Sequence, residues 1–542
     1  MDLLGDLGDR RIWEAHGAPN RSEPISRLNV IKNWLAECSK SHPYCEKVLE
    51  QDPPQLPTRV LAISEGDDEE PFKIRLHVSN GEHAPYAVLS HCWGQVTPLK
   101  TLRSNIEEHK DRISYNDLPL TFQDAVLMAW YVLDCPYLWI DSLCIIQDDK
   151  HDWEIEAATM ATVYANAMLT FAATAAKDAS YGCTFQYDSA LRIASNDGAA
   201  MVRFEDHLNL NAQDAPLNSR GWCFQESALS KRMVCFPEEQ MLWKCSSKHE
   251  SEDGLLNTSN DSHGWNEATW NVWASLRRIG EGQSSYSFWY RMMENYSRRI
   301  LTFDEDKLAA LAGIVAEFQN LIKDVPVMGI WQGDLLDGLL WRTAEPMERL
   351  KFIPSWSWAS IKGRVAWEEP MQALDKMEII TVTINWTGPP MISQVIDARL
   401  TVRGRLKKAC ISKWEGVKGN SCHLHEVNEP AVDSQRSPNV APSETSTAPE
   451  VLGYCYLEDI PPELTHVWCL EVYFCSRLGD VDEPRNHVHR VLILVPTGDD
   501  VSEFTRIGVG EMWSQSFKQD KGMGTAVKET FKGVEPRIVS IL

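Results

Sequence analysis

The stretch Tyr137-Leu138-Trp139-Ile140-Asp141, continued through Gln147-Asp148-Asp149-Lys150 to a helical pattern ending at Ala167, decides the fold. Four large apolar or aromatic side chains closed by a carboxylate follow a Cys135-Pro136 break. Such a run reads as a short strand buried on both faces, because a strand covered on both sides needs no polar alternation. The polar residues after it form a loop. Asp152 then stands where it can cap a helix, its carboxylate accepting from backbone N–H groups that the first turn leaves unpaired. Within that helix Trp153, Ala157, Met160, Tyr164 and Ala167 recur at helical spacing on one apolar face. A buried strand feeding an amphipathic helix is half of a βαβ unit, the connection that parallel strands require.

The neighbouring segments complete that unit. Upstream, Tyr86 to Gly94 reads as another buried strand closing on a loop, and Thr121-Phe122-Gln123-Asp124 has capping-box spacing. The helix it opens carries Phe122, Ala125, Val126, Ala129, Val132 and Leu133 inward. Further back, Phe72, Ile74, Leu76 and Val78 alternate with polar residues as a half-exposed strand ended by Ser79-Asn80-Gly81. Ile25 to Cys38 forms a helix with Leu28, Ile31 and Leu35 on one side, running into Cys38-x3-His42-x2-Cys45. Two thiols and an imidazole that close are either the start of a zinc site or a packed helix end. A structural zinc wants four ligands and no fourth is evident in the sequence, so no metal is expected.

Downstream, Met168 to Thr174 fits a third strand. Lys177 to Asn218 reads as a loop-rich insertion with a short strand near Ala199 to Phe204. In the segment Arg220-Gly221-Trp222-Cys223-Phe224-Gln225-Glu226 and its continuation to Arg232, the side chains of Trp222, Gln225, Glu226 and Leu229 share a helical face. Met233 to Phe236 and Met241 to Trp243 are short strands, and Ser246 to Gly264 reads as a polar, mobile stretch. Thr302-Phe303-Asp304-Glu305 opens a helix with Leu308, Leu311, Val315, Phe318 and Ile322 inward. Pro354 to Ser360 alternates strictly, and strands follow at Ile379 to Trp386, Leu400 to Val402, Val467 to Phe474 and Val491 to Leu494. Glu429 to Glu450, rich in Pro, Ser, Thr and Ala, reads as a disordered loop.

Composition bounds the function. At about 150 residues per domain, 542 residues imply two to four domains. A net charge of −24 repels nucleic acid and anionic membranes, so neither is an expected partner. No window approaches the apolar length of a membrane helix, and no apolar run follows the first residues as in a signal peptide. The fourteen Cys are scattered, several inside apolar runs such as those at Cys144, Cys235 and Cys469. They read as buried thiols of a cytoplasmic protein, not as a disulfide framework. Twenty-one Trp point to aromatic-rich layers.

Three blocks resemble the heterokaryon incompatibility (HET) domain of filamentous fungi. They are Tyr86-Ala87-Val88-Leu89-Ser90-His91-Cys92-Trp93-Gly94, then Leu138 to Gln147, then Arg220-Gly221-Trp222-Cys223-Phe224-Gln225-Glu226. His91 stands where that family usually has an aromatic, and Ile146 where it usually has Asn. The resemblance implies a role in nonself recognition ending in growth arrest or cell death, through self-association and an unidentified protein partner. A more distant likeness joins Trp222-Cys223-Phe224-Gln225-Glu226 to the Trp-Cys-Leu-x-Glu block of Toll/interleukin-1 receptor (TIR) domains. In that family's enzymes the glutamate cleaves the nicotinamide bond of NAD. The expected fold is therefore an α/β, TIR/flavodoxin-like parallel sheet flanked by helices, with a helical and β-rich C-terminal region. Expected boundaries are 1–85 for an N-terminal extension and 86–245 for the TIR-like domain. A helical region at 265–345 and a β-rich region at 346–542, with its loop at 429–450, follow.

In a parallel sheet the strand C-termini collect along one edge, where ligands bind. Ser90 and Asp141 each close a strand, and Glu226 lies on a helix after a later one. Glu226 beside the apolar wall of Trp222 suits the stabilisation of an oxocarbenium-like centre, which would make it the catalytic residue. Ser90, Trp93, Asp141, Arg220 and Trp222 would then bind substrate, with Arg220 and Arg232 offsetting a diphosphate. NAD is the expected substrate, not a resident cofactor. The alternatives are a Glu226 that pairs with Arg220 or Arg232 to fix a helix, and a non-enzymatic interaction scaffold or accessory protein of a biosynthetic cluster. Asp141 is either a polar strand end or a site carboxylate, and Glu156 reads as a salt-bridged structural group. Ser90-His91-Cys92 cannot form a local dyad, since adjacent strand residues point to opposite faces.

Overall fold

Short strands with no polar face must lie inside a layered sheet, and this is where the chain places them. The computed structural model describes residues 24–42, 45, 52–94, 99–183, 215–238, 240–252, 254, 257–259, 285–368, 372–413, 420–427, 451–458, 464–476, 487–498, 501–513 and 530–542. The chain divides into two units, one of Met1–Gln283 with Arg299–Ile322 and one of Ser284–Arg298 with Lys323–Leu542. The expected strand at 199–204 and loop at 429–450 lie outside the described residues.

Among the described residues, the first unit is built on ten strands: β1 Arg59–Glu65, β2 Phe72–Val78, β3 Ala87–Ser90, β4 Ile113–Ser114, β5 Tyr137–Ile140, β6 Leu169–Ala172, β7 Arg232–Cys235, β8 Leu242–Cys245, β9 Lys248–Ser251 and β10 Asn257–Ser259. They lie in the order β10-β9-β8-β7-β6-β3-β5-β1-β2-β4. The central four, β7, β6, β3 and β5, are parallel, with Ala87 opposite both Leu138 and Leu169. Antiparallel strands extend the sheet on both sides. Taken in chain order, the parallel strands run 2-1-3-4 across the sheet, so the order reverses between β3 and β6.

Among the described residues, five helices of eight residues or more flank this sheet: α1 Pro24–Ser41, α2 Leu120–Leu133, α3 Lys150–Asn166, α4 Trp222–Leu229 and α5 Ala312–Ile322. Helix α1 packs on α2, while α3 packs on α4 and α5. Strand alternation separates the two groups. The Tyr86 hydroxyl donates to the carbonyl of Val163 in α3 at 2.8 Å, and Trp139 meets Tyr164 of α3 edge-on. His91, one residue past β3, instead meets Phe122 of α2, with ring centroids 4.9 Å apart.

Several local expectations are corrected by competing partners. The cap of α3 is Asp149, which accepts from the N–H groups of His151 and Asp152. Asp152 is drawn away by Arg59 at 2.6 Å and by the N–H of Ile146. Helix α2 begins at Leu120 without a side-chain cap, because Thr121 and Asp124 accept from Gly182 and Cys183 N–H groups. The buried stripe of α1 is Ile31, Trp34 and Cys38, not Leu28 and Leu35. Within 246–264, β9 and β10 extend the sheet, with His249 and Ser251 buried. Thr302 to Leu311 contains two 3-10 turns before α5. Pro354 to Ser360 is a buried turn ending in a 3-10 turn, because Ser357 spends its hydroxyl on the Met328 carbonyl and the Ala359 N–H.

In the second unit, six antiparallel strands close on themselves. In ring order they are Val395–Lys413, Ser421–Glu426, Val451–Leu457, Glu503–Trp513, His487–Pro496 and His466–Ser476, which pairs back to the first. Closure gives each of the six a neighbour on both sides, and an apolar cluster including Leu424, Leu457, Val467, Ile493 and Met512 packs against them. The expected aromatic layers are here: Trp289, Trp331, Trp341, Trp356 and Trp358 are fully buried. No helix among the described residues is long and apolar enough to cross a membrane. None of the fourteen Cys is paired in a disulfide, and thirteen of them are buried.

Candidate functional site

Ser90 is the last residue of β3, at the point where the strand order reverses. Its side chain points to the α3–α4 face, and its hydroxyl donates to Oε2 of Glu226. Glu226 reaches this position from the middle of α4 and is only 5% exposed. The Tyr164 hydroxyl of α3 also hydrogen-bonds it. Burial pushes the Glu226 carboxyl above its ordinary range, and the nearby Asp141 charge adds to this. Hydrogen bonds from Ser90 and Tyr164, together with the positive charge of Arg220, oppose the rise.

Asp141 directly follows β5 and opens one helical turn, Asp141–Cys144. Its Oδ1 accepts from the Ser142 N–H at 2.7 Å, and its Oδ2 from the Trp93 indole at 2.9 Å. Trp93 reaches it from the loop after β3, which turns at Gly94. Gly94 has φ +68, and a Cβ there would meet the Lys177 carbonyl oxygen at 2.8 Å, so glycine alone suits both the backbone and the space. Arg220 closes the same loop, donating to the His91 carbonyl at 2.5 Å. Ser90 and Glu226 are thus buried at this sheet edge, and half-exposed Asp141, Trp93 and Arg220 form its rim.

Trp222 occupies a different position. Its indole donates to Asp306 at 3.0 Å, and its ring lies perpendicular to Trp153. Arg232 is absent from the rim; its Nε donates to Cys38 Sγ at 3.4 Å and its Nη2 to the Cys45 carbonyl at 2.8 Å. Among the described residues neither arginine makes an ion pair with Glu226, and the helix-fixing pair anticipated for that residue is replaced by the Ser90 and Tyr164 hydroxyls. Glu156 pairs with Arg59 at 3.3 Å, as a structural group would.

Two members were not legible as site residues. Tyr164 reads as one more position of an apolar stripe, and only packing directs its hydroxyl at Glu226. His91 lies with Nδ1 3.6 Å from Asp141 Oδ1, yet neither ring nitrogen has a hydrogen-bond partner among the described residues. Burial lowers its pKa to about 4, so the ring is neutral near pH 7. The polar/apolar mismatch of a histidine in a buried strand end was the signal available for it.

The first unit is thus an α/β protein with a parallel centre, carrying an enclosed carboxylate where its strand order reverses. Residues 86–226, from β3 to Glu226, match the family model of the Heterokaryon incompatibility protein (HET). The match begins just before Ser90 and ends at the glutamate that Ser90 contacts. No curated protein and no solved structure matches the chain.

Proposed function

We propose that this chain acts in heterokaryon incompatibility, as a cytoplasmic protein whose output is cell death, and that it cleaves NAD through Glu226. The observation that carries the proposal is the Ser90–Glu226 hydrogen bond at the strand reversal, with Asp141 on the same rim. The 2-1-3-4 order of parallel strands is that of flavodoxin-like sheets, which bind ligands at this reversal. The HET match over 86–226 supports the biological role.

Cleavage breaks the bond from the ribose anomeric carbon to the pyridinium nitrogen. The bonding pair leaves with nicotinamide, which departs neutral and needs no general acid. Ionised Glu226 stabilises the developing cation, and water then adds at the anomeric carbon and loses one proton, giving ADP-ribose. Asp141 and Trp93 would face the ribose and the pyridine, and Arg220 the diphosphate. Because burial raises the Glu226 carboxyl, activity should climb with pH from above the ordinary carboxylate range.

A non-enzymatic reading also has an observation behind it: at 5% exposure, Glu226 is placed as a buried tie between α4 and β3. Incubating purified full-length protein with NAD, at concentrations that permit self-association, separates the two. Wild type should release nicotinamide, and Glu226→Gln should lose about 100-fold or more of that rate while keeping its melting temperature within a few degrees. Equal release from both proteins, or none from wild type at any concentration, leaves only the non-enzymatic reading.

A further inference from the structure

The end of helix α1 with the residues just after it, and the β8–β9 hairpin about two hundred residues later, meet at four buried side chains. Cys38, His42, Cys45 and Cys245 each direct one ligand atom inward, and these atoms all lie within 4.8 Å of one another. The sequence offered three of them; the fold adds Cys245 from the end of β8. We propose that these four residues bind one structural zinc ion.

The geometry suits a single tetrahedral ion. With Zn–S near 2.3 Å and Zn–N near 2.0–2.1 Å, tetrahedral angles place a ligand sulfur and nitrogen about 3.6 Å apart. Cys245 Sγ and His42 Nδ1 are 3.4 Å apart. Three thiols and an imidazole form a recognised structural zinc set, and all four are buried, so no position opens to water. A span of 4.8 Å at most has room for one ion at the centre and none for an iron–sulfur cluster.

The surrounding groups favour bound thiolates. Arg232, 1% exposed, donates from Nε to Cys38 Sγ. The N–H of Lys248 donates to Cys245 Sγ at 3.3 Å, and Ser247 Oγ lies 3.6 Å from Cys45 Sγ. His42 turns Nδ1 toward the cluster and Nε2 away from it, with Glu37 Oε1 3.9 Å from Nε2. Charge also balances. Zinc with three thiolates and a neutral imidazole carries one negative charge, which the buried guanidinium of Arg232 neutralises. A buried cation facing three protonated thiols would have no such counter-charge. The ion would pin α1 to the end of the sheet beyond β7, independently of the Glu226 site.

The test is elemental analysis of the purified full-length chain, with cobalt(II) replacement as an optical readout. Wild type should carry about one equivalent of zinc, and Cys245→Ser and Cys38→Ser should each retain less than about a tenth of that. Cys410→Ser, in the other unit, should keep it, as should His42→Cys, which leaves a four-thiolate set. Cobalt-loaded wild type should show the absorption of a tetrahedral thiolate site, a readout that does not depend on any variant folding. Wild type lacking stoichiometric metal, with these thiols free to alkylate or paired as a disulfide, overturns the proposal. Iron or copper in place of zinc overturns the assignment of the ion.

Discussion

The Ser90–Glu226 contact can be weighed by a double-mutant cycle. The perturbations are Ser90→Ala and Glu226→Gln, singly and together. Both residues are buried, at 2% and 5% exposure, so water cannot replace a lost partner. A hydrogen bond to an ionised group contributes about 1.5–3 kcal/mol, and one between neutral groups about 0.5–1.5 kcal/mol. Ser90→Ala should therefore cost about 1.5–3 kcal/mol at pH 8, where more of Glu226 is ionised. In the Glu226→Gln background, the same change should cost about 0.5–1.5 kcal/mol. For a unit of this size about 2 °C of melting temperature accompanies each kcal/mol, so calorimetry resolves the difference. The coupling should be about 1 kcal/mol, and it should shrink as pH falls and Glu226 takes up its proton. If Ser90→Ala costs the same in both backgrounds, within about 0.5 kcal/mol, the contact is not the one described and the site loses its centre.

The raised Glu226 carboxyl means that the folded state favours the protonated form. Its stabilising contribution is complete below the ordinary carboxylate range and is lost as pH rises through the raised value. Glu226→Gln should accordingly gain on wild type in melting temperature from pH 4 to pH 8, and a constant difference would contradict the shift. Arg59→Met should cost about 3–5 kcal/mol, because it leaves Glu156 (side chain 1% exposed) without its cation; adding Glu156→Gln should recover part of the loss in chemical denaturation. Gly94→Ala should cost about 1–3 kcal/mol, given φ +68 and the Lys177 carbonyl in the way, and the loss should appear in the melting temperature.

The elements around the site were legible because their patterns are local. Tyr137 to Ile140, Tyr86 to Ser90 and Met168 to Thr174 are apolar runs that can only be interior strands, and each forms one. The alternation that separates Ser90 from His91 follows from strand geometry, and the two do face α4 and α2 respectively. The errors came where a polar side chain had more than one partner within reach. Asp152 had the sequence of a cap and became a partner of Arg59; Arg232 stood six residues from Glu226 and turned to Cys38 instead. Pro354 to Ser360 had the alternation of a strand, but Ser357 accepts from the Ala359 N–H and Ser360 donates to the Ser357 carbonyl, and these local bonds curl it into a turn.

By itself, the sequence determined which segments are interior, the parallel character of the central strands, and the three blocks that mark the HET domain. Those properties depend on hydrophobic period and residue type within a dozen or so positions. Only the tertiary structure decided that Tyr164 points its hydroxyl at Glu226 and that Cys245 joins Cys38, His42 and Cys45. The closing of the C-terminal strands into a ring was decided there as well. These depend on which distant surfaces pack together, and burial then makes each polar group choose the partner that packing has brought within reach.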